Sequence, residues 1–137
     1  MTIDPKIFKA YDIRGVYPAE VNEDVAYQIG RAFVVYTQAT KVVVGRDVRL
    51  SGPKLFQALT RGITEQGADV LDIGVASTDM FYFACGSTGL PGVTVTASHK
   101  SKEYNGFKLV RQMPDLVSGE KIRDLVLAGN FPVSAKK

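Results

Sequence analysis

Gly92-Val93-Thr94-Val95-Thr96-Ala97-Ser98-His99-Lys100-Ser101-Lys102-Glu103-Tyr104-Asn105-Gly106-Phe107-Lys108-Leu109-Val110 holds two extended segments and a polar turn between them. Its opening segment, Gly92 to Ala97, is rich in β-branched side chains, follows Pro91 and is too short for a stable helix, so it reads as a strand. An extended pattern resumes at Phe107, where Phe107 and Lys108 alternate and should point to opposite faces. The polar connection between them, residues 98–106, cannot hold a crossover helix. The strands around Thr94 and Leu109 are therefore expected to be antiparallel neighbours.

On either side of this stretch the pattern alternates helix and strand. Phe8 to Gly15 reads as extended or turning. Asn22 is placed to cap a helix whose first turn holds Glu23 and Asp24, acids favourable at its positive end. Val25, Ile29, Ala32, Phe33 and Tyr36 recur at helical spacing and form a core stripe. Lys41 to Val44 reads as a buried strand running into Gly45-Arg46-Asp47, after which Ser51 caps a helix to about Gln66 with Leu55, Leu59 and Ile63 inward. Gly67 supplies the stop. Asp69 to Val75 is the next strand, Thr78 to Cys85 a short helix, and Ser118 to about Ala128 the last helix. Strand-helix-strand alternation favours parallel pairing. With the one antiparallel pair, this gives an α/β fold: a three-layer α/β/α domain with a mixed, mostly parallel four-stranded sheet, residues 1–137 forming a single domain.

Composition narrows the function classes. A chain of 137 residues, 45% hydrophobic, can bury one core but hardly two. No apolar run approaches a membrane span and Asp4 and Lys6 sit where a signal-peptide core would begin, so a cytoplasmic protein with no membrane partner is expected. The formal charge of +3 comes from lysines and arginines scattered along the chain, with no stripe of cations interleaved with aromatic platforms, and no nucleic-acid partner is expected. Cys85 is the single cysteine, which excludes an internal disulfide and reads as a small packed residue. With one histidine and no Cys-x-x-Cys, a zinc site has no support. A Ser-His-Asp hydrolase has little more: His99 follows Ser98 directly, and no Gly-x-Ser-x-Gly elbow surrounds the serine.

Ser98 stands where the strand ends, and in open α/β sheets ligands collect beyond the carboxyl ends of strands. Ser98, His99, Lys100, Lys102 and Lys108 place a hydroxyl, an imidazole and three ammonium groups within a short span. Two readings stand. A serine at a strand end commonly satisfies a turn; a serine among cations also suits the carrying of a phosphoryl group. Arg46 and Asp47 divide similarly, either as a structural pair bracing the strand-to-helix turn or with Arg46 helping to gather phosphate near a helix amino terminus.

Thr96-Ala97-Ser98-His99 followed by Glu103-Tyr104-Asn105-Gly106-Phe107-Lys108 resembles the phosphoserine loop of the α-D-phosphohexomutases, the phosphomannomutase and phosphoglucomutase group. Phe8-Lys9-Ala10-Tyr11-Asp12-Ile13-Arg14-Gly15 is similar to that family's amino-terminal signature. Val44-Gly45-Arg46-Asp47-Val48-Arg49-Leu50-Ser51-Gly52 resembles its second motif, and Asp72-Ile73-Gly74 with Ser77-Thr78 its third. The likeness runs from about Phe8 to about Gly129.

The resemblance implies an isomerase that interconverts hexose 1-phosphate and hexose 6-phosphate through a hexose bisphosphate. It implies that Ser98 is the phosphorylated serine, with its phosphate helping to hold Mg²⁺, that His99 neighbours the phosphate, and that Arg14 and Lys108 line the same site. Tyr11 then packs or faces the sugar, Asp12 orients Arg14, and Lys100 contacts phosphate as a mobile charge. The sequence departs from the family in having Lys100-Ser101 where an Asn-Pro pair is usual. It matches only the first of the family's four domains, and it has no Asp-x-Asp, the element from which the family takes its metal carboxylates. The expected partners are therefore hexose phosphates and the missing domains II–IV, without which the chain should not complete a turnover. The alternative is a non-catalytic module binding a phosphorylated ligand or another protein.

Overall fold

The computed structural model describes residues 3–98, 100–129 and 131. A turn of 3₁₀ helix, Pro5–Ile7, leads into β1 (Ile13–Val16), α1 (Glu23–Thr37), β2 (Lys41–Arg46), α2 (Gly52–Glu65) and β3 (Asp69–Val75). Then follow α3 (Thr78–Thr88), β4 (Gly92–Val95), β5 (Tyr104–Gln112), β6 (Asp115–Val117) and α4 (Gly119–Ala128).

The strands form one mixed sheet in the order β1-β5-β4-β2-β3, with β6 added to β5. β2 is parallel to both β3 and β4. β5 is antiparallel to β1, β4 and β6. The expected antiparallel neighbours are present: Thr94 faces Lys108 and Val93 faces Leu109. Among the described residues the sheet has six strands, against the expected four. The additional pair, β1 and β6, are short segments whose partner is β5; the long strand organises them more than any periodicity of their own.

Alternation along the strands sorts the layers. Val42, Val44, Val93, Val95, Phe107 and Leu109 pack into the main core with α1, α2 and α4. Val43 and Val110 face the other way and pack with Phe81 and Cys85 of α3. Three layers result, as the sequence indicated. α1 and α2 approach closely because each carries a glycine at the crossing: a Cβ on Gly30 would meet the Leu59 carbonyl oxygen, and one on Gly62 the Tyr27 carbonyl oxygen.

Asn22 caps α1, its side chain accepting from the Val25 amide, as expected. Ser51 does precede α2, yet its side chain makes no capping bond; its Oγ accepts instead from Asn105 Nδ2 at 2.7 Å. A distant buried amide has taken the hydroxyl from the helix.

Cys85 is buried against Phe81 and the sheet, and burial pushes its thiol up to about 11. Since the thiolate is the reactive form, native protein at pH 8 should resist alkylation by iodoacetamide while urea-unfolded protein is modified at the rate of an ordinary thiol. Equal rates in the two states would contradict this packing.

Candidate functional site

β2 and β4 run parallel and end side by side, where the Asp47 amide donates to the Val95 carbonyl at 3.0 Å. The chain beyond β4 stays registered with β5 for one more bond, Thr96 N to Gly106 O at 2.8 Å. It then turns sharply. Ser98 has φ +56°, the left-handed region that a side chain rarely occupies. Two consecutive turns follow, closed by Lys100 N to Ala97 O at 3.1 Å and Tyr104 N to Ser101 O at 3.0 Å. Ser101 Oγ donates to Glu103 at 2.7 Å, and that hydrogen bond is the main cause that holds the Glu103 carboxyl below its ordinary range.

The strained turn is held from β2's side of the sheet. Asp47 Oδ2 accepts from Thr96 Oγ1 at 2.7 Å and from Arg49 Nε at 3.3 Å. Thr96 Oγ1 in turn accepts from the Ser98 amide at 3.0 Å, and Arg49 Nη2 donates to the Ser98 carbonyl at 2.9 Å. The rest of the Arg49 fork reaches the carbonyls of Lys100 at 2.7 Å, Ser101 at 2.7 Å and Tyr104 at 3.0 Å. A guanidinium engaged at every nitrogen by a carboxylate and main-chain carbonyls is fully satisfied and is not available to a ligand.

Ser98 is half-buried and lines a cavity of about 500 Å³ with Asp47, Arg49, Lys100 and Lys102. A second cavity of about 390 Å³ is lined by Lys6, Lys9, Arg14, Glu20, Lys100 and Tyr104. Lys100 borders both, its ammonium 5.6 Å from the Tyr104 ring centre. Both cavities are rich in cations, a surface suited to phosphate oxygens.

Asp12 sits with its side chain only 4% exposed, 3.8 Å from Arg14 Nε and 3.7 Å from Lys108 Nζ. One buried carboxylate is thus paired with two cations, Arg14 and Lys108. Arg14 faces Gly106 across β1 and β5, and Gly106 is bonded to Thr96 across β5 and β4. Arg14 and Thr96 therefore flank a residue without a side chain, at about 10 Å from each other by strand spacing. Tyr11 is 82% exposed at the tip of the turn closed by Lys9 N to Asp12 O, so it faces solvent rather than packing. His99 lies outside the described residues.

Arg46 is not joined to Asp47. It lies 3.8 Å from Asp72 on the neighbouring strand and 4.6 Å from the Phe56 ring, away from the Ser98 cavity. The pair that braces this strand exit is Asp47 and Arg49 rather than Arg46 and Asp47. Arg49 stands in the same motif, but the acceptors that define its role, the carbonyls of Ser98, Lys100, Ser101 and Tyr104, lie some fifty residues further along the chain.

Among the described residues, no group of three or more His, Cys, Asp or Glu side chains is arranged to hold a metal ion. Asp47 is the carboxylate beside Ser98, and both its oxygens are engaged by Arg49 and Thr96. The residues present do not by themselves fit a Mg²⁺ site. No helix among them is long and apolar enough to cross a membrane.

The fold and its loop define an α/β/α domain that presents a serine, backed by cations, at the carboxyl ends of parallel strands. The model for phosphoglucomutase/phosphomannomutase, α/β/α domain I, matches residues 5–128, and the chain belongs to this family. It is 50% identical over 120 residues to a phosphomannomutase of Klebsiella pneumoniae, covering 86% of this chain and 76% of that protein. A phosphomannomutase of Escherichia coli shares 50% identity over 120 residues, covering 86% of this chain but 26% of that protein. The crystal structure of a phosphoglucomutase/phosphomannomutase family protein from Burkholderia thailandensis is similar at TM-score 0.89 and 38% identity, across 99% of this chain and 33% of that one. The chain thus spans 26% of the E. coli relative and 33% of the B. thailandensis chain.

Proposed function

We propose that this chain is the phosphoserine-bearing domain I of a phosphohexomutase, an isomerase that moves phosphate between the 1- and 6-positions of a hexose through a bisphosphorylated intermediate. The observation that carries the reading is the placement of Ser98. Its main chain is fixed in a strained turn by Thr96 and Arg49, and the residue opens onto a cavity shared with Lys100 and Lys102.

The phosphoserine gives up its phosphoryl group when a sugar hydroxyl oxygen forms a bond to phosphorus as the bond to Ser98 Oγ breaks; the hydroxyl proton is released and the serine oxygen takes one up. The second half-step reverses these roles at the other end of the sugar. Such transfer depends chiefly on fixed positive charge around the equatorial oxygens. Arg14 and Lys108, oriented by Asp12, and Lys100 at the junction of the two cavities are assigned that work, with His99 beside the phosphate and exposed Tyr11 toward the sugar. Asp47 supports the loop, and Arg46 supports the sheet at a distance. Mg²⁺, bound by the serine phosphate, would draw its carboxylates from domains II–IV and supply further positive charge. Exposed Val75, Met80 and Phe83 on β3 and α3 support the reading of one domain among several, since apolar surface of this kind suits packing against another.

The test is reconstitution with a fragment carrying the remaining domains of the E. coli relative. Turnover of mannose 1-phosphate or glucose 1-phosphate is expected in the mixture, and Lys108→Met should lower kcat by about a hundredfold, the scale of a lost charge-stabilising donor. A Lys108→Met variant as fast as the parent would remove Lys108 from the site.

A further inference from the structure

Arg49 and Asp47 build a closed circuit around Ser98. From Asp47 Oδ2 it runs through Thr96 Oγ1 to the Ser98 amide, and from the same oxygen through the Arg49 guanidinium to the Ser98 carbonyl. Both ends of Ser98, whose backbone is left-handed, are thereby tied to a single carboxylate. The same guanidinium collects three further loop carbonyls. Its side chain is 11% exposed, and its bonds to the Ser98 and Tyr104 carbonyls are part-buried, while those to Lys100 and Ser101 lie at the surface.

We infer that Arg49 is the positioning residue of the Ser98 loop, and that it fixes the loop through main-chain carbonyls and so independently of the side chains at 100 and 101. The inference rests on the reading of Ser98 as the phosphoryl carrier. It also accounts for the departure from the family at this point. A loop that owes its turn to proline stiffness would slacken with Lys100-Ser101; a loop gripped by its carbonyls keeps its form whatever side chains those residues carry. A lysine at 49 cannot replace the arginine, because an ammonium lacks the planar fork that reaches separate carbonyls at once. Arg49 touches no ligand in this scheme. It acts through Ser98.

Amide hydrogen exchange on the intact chain tests this without any need for catalysis. Arg49→Lys should speed exchange across residues 98–104 by about tenfold or more, with the amides of α1 and α2 unchanged. Thr96→Val should do the same at the Ser98 amide, and it serves if an Arg49 variant folds poorly. The double variant Lys100→Asn, Ser101→Pro should leave protection of the Tyr104 amide as it is. Unchanged exchange in Arg49→Lys, or strong dependence on residues 100 and 101, would overturn the inference.

In the reconstituted enzyme, Arg49→Lys should lower kcat at least tenfold while KM for the sugar phosphate stays within about twofold, because loop position governs phosphoryl transfer more than sugar binding. Equal losses in both parameters would point to a general structural role and count against the inference. A reconstituted parent that turns over no sugar phosphate would sink the proposed function, while the exchange data would still decide the role of Arg49 in holding the loop.

Discussion

Gly106→Ala should destabilise the fold by about 3 kcal/mol or more, the scale of an overpacked site that no flexible side chain can relieve. A Cβ at this position would collide with the Ile13 carbonyl oxygen and come within 2.9 Å of the Arg14 Cα. These are backbone atoms of a strand that is itself hydrogen-bonded to Gly106's own strand, so relief requires β1 to move. The functional cost follows from the same geometry. Moving β1 carries Arg14 and the adjoining Asp12 away from Lys108 and from the row that Arg14 shares with Gly106 and Thr96. Urea denaturation should show a lowered midpoint with little change in slope; a midpoint within error of the parent would mean that the β1–β5 approach is looser than described.

Ser98→Ala is expected to lower turnover of the reconstituted enzyme by at least about a thousandfold, as removal of a nucleophile does elsewhere. The fold should survive. The bonds that fix residue 98 run through its amide and carbonyl, which alanine retains. Alanine in a left-handed backbone costs about 1–2 kcal/mol, a value serine at this position already bears. Thermal unfolding close to the parent's beside near-complete loss of turnover is the expected combination. Comparable turnover in the variant would place the phosphoryl carrier elsewhere.

What could be read from sequence follows from where each element's information resides. α1 carries its own cap in Asn22, its own acids and its own apolar stripe, and the structure reproduces it. β3 was bounded by turn residues and spans Asp69–Val75 as read. The β4–β5 pairing followed from a connection too short for any other course. β1 and β6 were not legible because they owe their extended form to β5 more than to their own patterns. α3 runs on to Thr88, past the apolar residues that suggested it, until Gly89 takes a positive φ.

The site divides along the same line. Asp12 and Arg14 lie two residues apart at the start of a strand and were read together; the structure adds Lys108 to the pair. Arg46 and Asp47 were paired by adjacency, but neighbours leaving a strand diverge: Arg46 turns to Asp72 and Phe56, Asp47 to Arg49 and Thr96. Arg49 was illegible because its acceptors stand some fifty residues later in the chain. No local pattern announces a side chain whose partners are distant carbonyls.

Whether Ser98 carries the phosphoryl group can be read by peptide mass mapping after incubation with hexose 1,6-bisphosphate, Mg²⁺ and the complementing domains. A single phosphate is expected on the peptide that contains Ser98, fragmenting to that residue, and none in Ser98→Ala. Phosphate on another residue, or on none while the mixture turns over sugar phosphate, would contradict it.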